Sequence, residues 1–288
     1  MEVVRASAMG FCFGVRDALE IARTLERPEE TTLYGALVHN EEVEAALAAR
    51  GFRKVAEGER RGAVATPRAL ITAHGISERE RAALRASGAE LVDTTCPLVR
   101  RAHDAALALQ SAGFHVVELG RAGHVEVRGL TGDLDSFTVV GSASEVQRWP
   151  HAKLGVIAQT TVPEREAAEL LQAIRAANPD AEVQFRDTIC EPTKQRQRAV
   201  EALVREVDVV VVVGGKSSHN TKQLALTCQR AGKPVHWVQG PAELEARWFD
   251  GCAKVGLTAG TSTPDERIAA VEAALLALSS RSSCAASA

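Results

Sequence analysis

The sequence is short of three things, and each shortage removes a class of function. It has no block of Lys and Arg and carries a net charge of −3 over 288 residues, so it offers no electrostatic footprint for nucleic acid. Aromatic residues make up only 4%, too few to supply a platform on which bases stack. No apolar run approaches the roughly 18 residues that span a bilayer, and the opening MEVVRASAMGFCFGV has neither the basic start nor the apolar stretch of a signal peptide. These absences predict a cytoplasmic protein with no nucleic-acid or membrane partner.

Several motifs are missing as well. No Cys-x2-4-Cys pair occurs, which argues against a structural zinc site. GGKSSHNT lacks the spacing of a phosphate-binding P-loop, and no Gly-x-Gly-x-x-Gly follows the first strand, so neither an NTPase nor a dinucleotide is supported. Six cysteines in a chain with 45% hydrophobic residues do not read as a disulfide framework. A core of this size needs no covalent help, and a reducing compartment keeps thiols free. Metal or redox chemistry is the remaining use for them.

What is present is an alternation of short β-branched runs with Ala/Leu/Arg/Glu stretches, the pattern of parallel sheets with crossover helices. The clearest strands are residues 68–72, 115–119, 154–158, 208–213 and 254–258. Asp-Thr-x-Cys occurs twice, as DTTCP at residues 93–97 and DTICEP at 187–192, and GFCFGV supplies a third cysteine at position 12. Each of Cys12, Cys96 and Cys190 directly precedes a helical stretch, and Pro97 and Pro192 mark helix starts. A helix N-terminus favours thiolate over thiol. The separations match one small α/β unit each, so the chain reads as three related lobes, each giving one cysteine to a shared centre.

Any one of these cysteines alone reads most simply as a small buried apolar residue; the repeated phrase sets the three apart. Cys228, Cys252 and Cys284 keep the simple reading. A cubane iron–sulfur cluster accepts ligands from distant segments, and three cysteines would leave one iron open to a substrate oxygen.

His39, His74 and His124 each follow a short apolar run, and Glu126 lies two residues beyond His124. In an extended segment that spacing puts an acid and an imidazole on one side. His103, His115, His151 and His236 have no such setting and receive no role. The later strands run into hydroxyl-rich loops, AQTTVPE, GGKSSHNT and TAGTSTPD, each opening a helix. Ser and Thr at such places cap helices by default. Three such loops with histidines at strand ends fit a compact polyanion, a diphosphate held by helix N-termini, hydroxyls and imidazoles.

Taken in order, GFCFGVRDAL, VHN, AHG, DTTCPLV, GHVEV, QTT, DTICEPTKQRQ, SSHNT and TAGTSTPD resemble the 4-hydroxy-3-methylbut-2-enyl diphosphate reductase (IspH, or LytB) family, from about Met9 to about Asp265. The resemblance implies an α/β fold of three small parallel-sheet lobes in pseudo-threefold arrangement around a central iron–sulfur cluster. The lobes would span 13–96, 97–190 and 191–275, with residues 1–12 packing on the third and 276–288 forming a disordered tail. It implies a reductive dehydroxylation giving isopentenyl and dimethylallyl diphosphate, the last step of the non-mevalonate isoprenoid pathway, with electrons from a ferredoxin or flavodoxin.

By the same resemblance Cys12, Cys96 and Cys190 hold one 4Fe-4S cluster with one open iron. Glu126 relays a proton to the leaving hydroxyl, with Thr160 and His124 beside it. His39, His74, His124, Thr161, Ser218, Asn220 and Ser262 hold the diphosphate. His219 stands where the family has a second serine, and Val125 where it has a proline that shapes the turn orienting Glu126. Two other readings remain: a cluster dehydratase of the quinolinate synthase kind, which would call for arginine clamps on an acidic substrate, and a non-catalytic iron–sulfur sensor.

Overall fold

The β-branched runs form strands and the stretches between them form helices in the computed structural model, which describes residues 1–285 and the side chains of residues 1–279. The chain divides into two compact units, one comprising Met1–Phe13, His39–Glu41 and the chain from Glu191 onward, the other Gly14–Val38 and Glu42–Cys190. The fold is α/β, with three four-stranded sheets.

The first unit holds one sheet, made of β1 (Glu2–Arg5), β10 (Val209–Val213), β11 (Val235–Val238) and β12 (Lys254–Ala259). All its pairings are parallel. Its central strand β10 is five consecutive buried valines, because helices cover both faces of a parallel sheet and no face alternates to polar. Val210 and Val212 pack with Leu203 of α7 (Glu191–Leu203) and Leu224 of α8 (His219–Arg230). Val209, Val211 and Val213 meet Ile268, Val271 and Leu275 of α9 (Asp265–Ala285).

The second unit holds two parallel sheets. One is β2 (Thr31–Tyr34), β3 (Arg53–Val55), β4 (Arg68–Ile71) and β5 (Glu90–Asp93); the other is β6 (His115–Leu119), β7 (Phe137–Val140), β8 (Lys153–Ala158) and β9 (Glu182–Phe185). On one face of the latter, Val117, Leu119 and Val156 pack with Leu170 and Ile174 of α6 (Glu164–Ala177). On the other, Val116 and Ile157 pack with Ala106 and Leu109 of α4 (Pro97–Ser111).

All three sheets share one topology. The orders are β3-β2-β4-β5, β7-β6-β8-β9 and β11-β10-β12-β1, so each places its second strand at one edge and its fourth at the other. In the first unit the N-terminal strand β1 fills the fourth place. The helices that follow the fourth-place strands are α4 after β5, α7 after β9 and α1 (Phe13–Thr24) after β1.

Four strand ends differ from the sequence reading by one residue: β4 stops at Ile71, β8 starts at Lys153, β10 starts at Val209 and β12 runs to Ala259. Asp208 lies outside β10 because its carboxylate accepts the Ala253 and Lys254 N–H groups, both at 2.8 Å. The chain does not lose order at residue 276, since α9 continues to Ala285. Leu278 packs on the core beside Leu275, and Ser279 Oγ donates to the Met1 carbonyl at 2.7 Å. Residues 286–288 of the expected tail lie outside the described residues.

Candidate active site

Every residue singled out in the sequence lies beyond the C-terminal end of a parallel strand or in the first turn of the helix that follows, the edge at which open α/β sheets bind ligands. The repeated Asp-Thr-x-Cys phrase builds the same turn twice. Asp93 Oδ1 accepts Thr95 N–H at 2.9 Å, and Asp187 Oδ1 accepts Ile189 N–H at 3.1 Å. Thr94 Oγ1 donates to Ile71 O at the end of β4 at 2.6 Å, and Thr188 Oγ1 to Ala158 O at the end of β8 at 2.5 Å. The cysteine N–H then reaches a carbonyl two residues farther along, Cys96 to Ala73 at 3.1 Å and Cys190 to Thr160 at 3.0 Å. Burial opposes the charge on Asp93, but bonds from Thr95 and the Arg81 guanidinium hold it below the usual carboxylate range.

Cys96 is the N-cap of α4, and a Cβ built at Gly14 in the first turn of α1 would stand 2.5 Å from its Sγ. Only a glycine leaves the thiol its space. Cys190 immediately precedes α7 and Cys12 immediately precedes α1. The Cys12 N–H reaches Thr261 O at 3.3 Å, and Arg196 supports its turn by donating two bonds to Gly10 O. Among the described residues none of the three cysteines forms a disulfide, and each stands at a helix start, where a thiolate suited to iron–sulfur ligation is favoured. Among the described residues no three His, Cys, Asp or Glu gather around one point as a single-ion site demands. A cluster spreads its ligands over several irons and is not subject to that limit.

Also in the second unit, Glu126 is buried, with Oε1 accepting Thr160 N–H at 2.6 Å and Oε2 accepting Thr160 Oγ1–H at 2.9 Å. Burial raises its pKa from 4.5 to about 6, and the Thr160 bonds work the other way. The segment that carries it is helical, so the extended geometry on which the two-residue spacing would put acid and imidazole on one side is not the one present. Residues Val125–Thr131 form helix α5 with His124 as N-cap, and His124 Nδ1 accepts Glu126 N–H at 3.2 Å. The acid and the imidazole therefore meet through a cap rather than through strand alternation. With Nδ1 an acceptor, the neutral ring carries its proton on Nε2. Val125 is buried at the first position of α5, and the His124 cap and the two Thr160 bonds hold Glu126. His74 lies edge-on to His124, ring centroids 5.9 Å apart. Thr161 Oγ1 accepts a bond from Gln159.

In the first unit, Ser218 caps α8, and Ser262 Oγ stands 3.3 Å from Ser218 Oγ and 3.1 Å from His39 O. Asn220 Oδ1 accepts Thr261 N–H at 3.0 Å, while its buried Nδ2 has no hydrogen-bond partner. A buried amide donor without an acceptor costs about 1–3 kcal/mol, and a ligand oxygen would satisfy it. His219 opens α8 with its ring turned along the helix, Nε2 3.4 Å from Gln223 Nε2.

Sequence reasoning missed Glu118. It is fully buried in β6, and among the described residues neither of its carboxylate oxygens has a hydrogen-bond partner. Burial, and then the charge of Glu126, push its pKa well above the ordinary value. Both carboxyls are thus raised by burial, Glu118 with no hydrogen bond to offset it among the described residues. The signal was a glutamate directly between apolar neighbours in FHVVEL. The histidines left without a role have structural partners: His115 bonds Ser136 and Thr138 and stacks on His151, His236 stacks on Trp248, and His103 Nε2 sits 2.9 Å from Asp133. Cys228 is buried, its thiol pushed up to about 12, and is inert.

The profile of the LytB protein family matches residues 3–276. This chain belongs to the LytB family. Relatives in the family include the 4-hydroxy-3-methylbut-2-enyl diphosphate reductase of Geobacter metallireducens, 36% identical over 268 residues, with 92% of this chain and 93% of the relative covered. The protein of the same name from Anaeromyxobacter sp. (strain K) is 38% identical, covering 96% and 100%. Among solved structures, (E)-4-hydroxy-3-methyl-but-2-enyl diphosphate reductase, described as the terminal enzyme of the non-mevalonate pathway, aligns with TM-score 0.67 at 31% identity over 96% of this chain and 99% of its own. The corresponding Plasmodium falciparum reductase shares the fold, with TM-score 0.83 at 24% identity over 93% and 86%. Membership in LytB sets aside the quinolinate synthase alternative.

Proposed function

We propose that this LytB chain reduces 4-hydroxy-3-methylbut-2-enyl diphosphate to isopentenyl and dimethylallyl diphosphate, the last step of the non-mevalonate pathway. The observation that carries the reading is Glu126, a buried carboxyl clamped by Thr160, whose carbonyl in turn receives the Cys190 N–H. Its relatives named as this reductase at 34–38% identity support the substrate.

The reaction adds two electrons and two protons and releases water. Glu126, titrating at about 6, takes a proton from solvent and gives it to the substrate hydroxyl oxygen as the C–O bond breaks, so that water rather than hydroxide departs. Thr160 fixes the carboxyl for that transfer through its N–H and hydroxyl, and the hydroxyl would then lie near the substrate oxygen. Cys12, Cys96 and Cys190 would hold one 4Fe-4S cluster, which when bound supplies the electrons and, at the iron without a cysteine, a Lewis acid. A ferredoxin or flavodoxin in the cytoplasm would deliver the external electrons.

His39, His74, His124, Thr161, Ser218, Asn220 and Ser262 hold the diphosphate. Asn220 contributes the buried N–H that lacks an acceptor, and His124 donates through Nε2. His219 contributes only if its ring leaves Gln223. Fixed donors around a diphosphate position the short carbon chain. In this reading each sheet is the core of one lobe, 13–96, 97–190 and 191–275, with residues 1–12 on the third.

Anaerobic turnover with a reduced viologen dye, followed together with iron content, tests the proposal. Dye oxidation should require both substrate and cluster, and Glu126→Gln should keep its iron while losing at least about 100-fold in kcat. Full turnover in that variant would sink the assignment of Glu126. An iron-loaded wild type that turns over no substrate would instead favour the sensor reading.

A further inference from the structure

The loop leading into the Ser218 cap is held by a carboxylate that belongs to none of the motifs. Glu41 follows His39 and Asn40, and its Oε1 accepts Ser217 Oγ–H at 2.8 Å and Ser217 N–H at 3.3 Å. Its Oε2 accepts Gln239 Nε2–H at 3.3 Å. Beneath it, a Cβ at Gly215 would stand 2.5 Å from Glu41 Oε2 and 3.3 Å from His39 O. The loop after β10 therefore lies directly against this three-residue segment. The same segment grips the loop after β12, since Asn40 Nδ2 donates to Ser262 O at 2.8 Å and Ser262 Oγ faces His39 O at 3.1 Å. Residues 39–41 staple together the two loops that present Ser218, Asn220 and Ser262.

We propose that Glu41 is a positioning residue for the diphosphate: its bonds to Ser217 and Gln239 fix the Gly214–Ser217 turn so that the Ser218, Asn220 and Ser262 donors converge on one phosphate group. The inference rests on the diphosphate reading of these residues and extends it to a side chain that touches no ligand. Burial opposes the Glu41 charge, but the Ser217 bonds and the nearby His39 hold the carboxyl below its ordinary range, so it is an acceptor at neutral pH.

The sign of the effect separates this role from simple electrostatics. A carboxylate beside an anion site repels the anion, and by charge alone its removal would tighten binding. As a latch, its removal loosens the loop and weakens binding.

The test is anaerobic titration of the cluster-loaded protein with inorganic diphosphate, alongside steady-state kinetics, for the wild type, Glu41→Ala and Glu41→Gln. In Glu41→Ala, diphosphate affinity should fall and KM rise by about tenfold, as expected for lost bonds to a charged acceptor, with kcat within about twofold. Glu41→Gln keeps a carbonyl oxygen for Ser217 and should recover most of the affinity. Glu41 is exposed, so the melting temperature should change little in either variant. Equal or tighter diphosphate binding in Glu41→Ala would overturn the latch while leaving the cradle intact. A wild type that binds no diphosphate would overturn the cradle and the latch with it.

Discussion

At the residue scale, Glu118 and Glu126 are two carboxyls buried in one unit with opposite fates. Glu126 has three bonds around it, two to its carboxylate and one to its backbone; Glu118 has none to its side chain. Both are raised above the ordinary value of 4.5, so the folded state retains protons that the unfolded state has lost. Stability is fully present below that ordinary value and declines as pH rises, through about 6 for Glu126 and onward for Glu118, at about 1.4 kcal/mol per pH unit for each group while it stays protonated. Glu118→Leu should therefore raise the melting temperature, with a gap over the wild type that widens as pH rises above the ordinary carboxyl value. Thermal melts at increasing pH check it, and a constant or vanishing gap would mean that Glu118 has found a partner. Nothing in local propensity announced this residue, because strand formation is set by the backbone pattern and the five residues of β6 are all buried whatever their polarity.

At the element scale, the phrase Asp-Thr-x-Cys was legible as a repeat and as a helix start, and its structural meaning is a shared turn. The aspartate closes it, the threonine ties it to the neighbouring strand, and the cysteine N–H ties it one step farther along. The helices after the cysteines were legible for the same reason, since proline and the Ala/Leu/Arg/Glu pattern are local signals. Gly14 was not, because its requirement comes from Cys96, far away in sequence. Glu41 was not, because a surface glutamate at a helix start needs no further explanation. In an ordinary helix Gly→Ala stabilises by up to about 1 kcal/mol. Gly14→Ala should do the reverse at this site, lowering iron per protein after anaerobic reconstitution while the far-ultraviolet spectrum stays helical. Full iron content in that variant would show that Cys96 has room to turn away.

At the scale of the whole molecule, three related α/β lobes were expected from the cysteine separations, and the strand orders add that the three sheets share one topology, with β1 paired to β12. The continuation of α9 was not, because SSRSSCAASA reads as polar coil, while the packing of Leu278 on the core and the Ser279 bond to the Met1 carbonyl are contacts that no local pattern encodes. Among the described residues no helix is long and apolar enough to cross a membrane. Position within the sheets also explains why GFCFGV bears so little likeness to the Asp-Thr-x-Cys phrase: Cys12 follows β1 as Cys96 follows β5 and Cys190 follows β9, equivalent in place though not in letters.

The substitution of β1 for a fourth strand has a consequence for connectivity. Two of the three repeats run strand, helix, strand without interruption, and the third is cut between α9 and β1, where Ser279 and Met1 are already hydrogen-bonded. By strand order β1 stands to β12 as β5 to β4 and β9 to β8. A circular permutant that joins the old ends by a short Gly/Ser linker and opens instead at Gly88, between α3 (Glu78–Ala86) and β5, should fold, take up iron and turn over substrate, since a Cβ at Gly88 would meet nothing within 4 Å and exposed loop tips tolerate new ends.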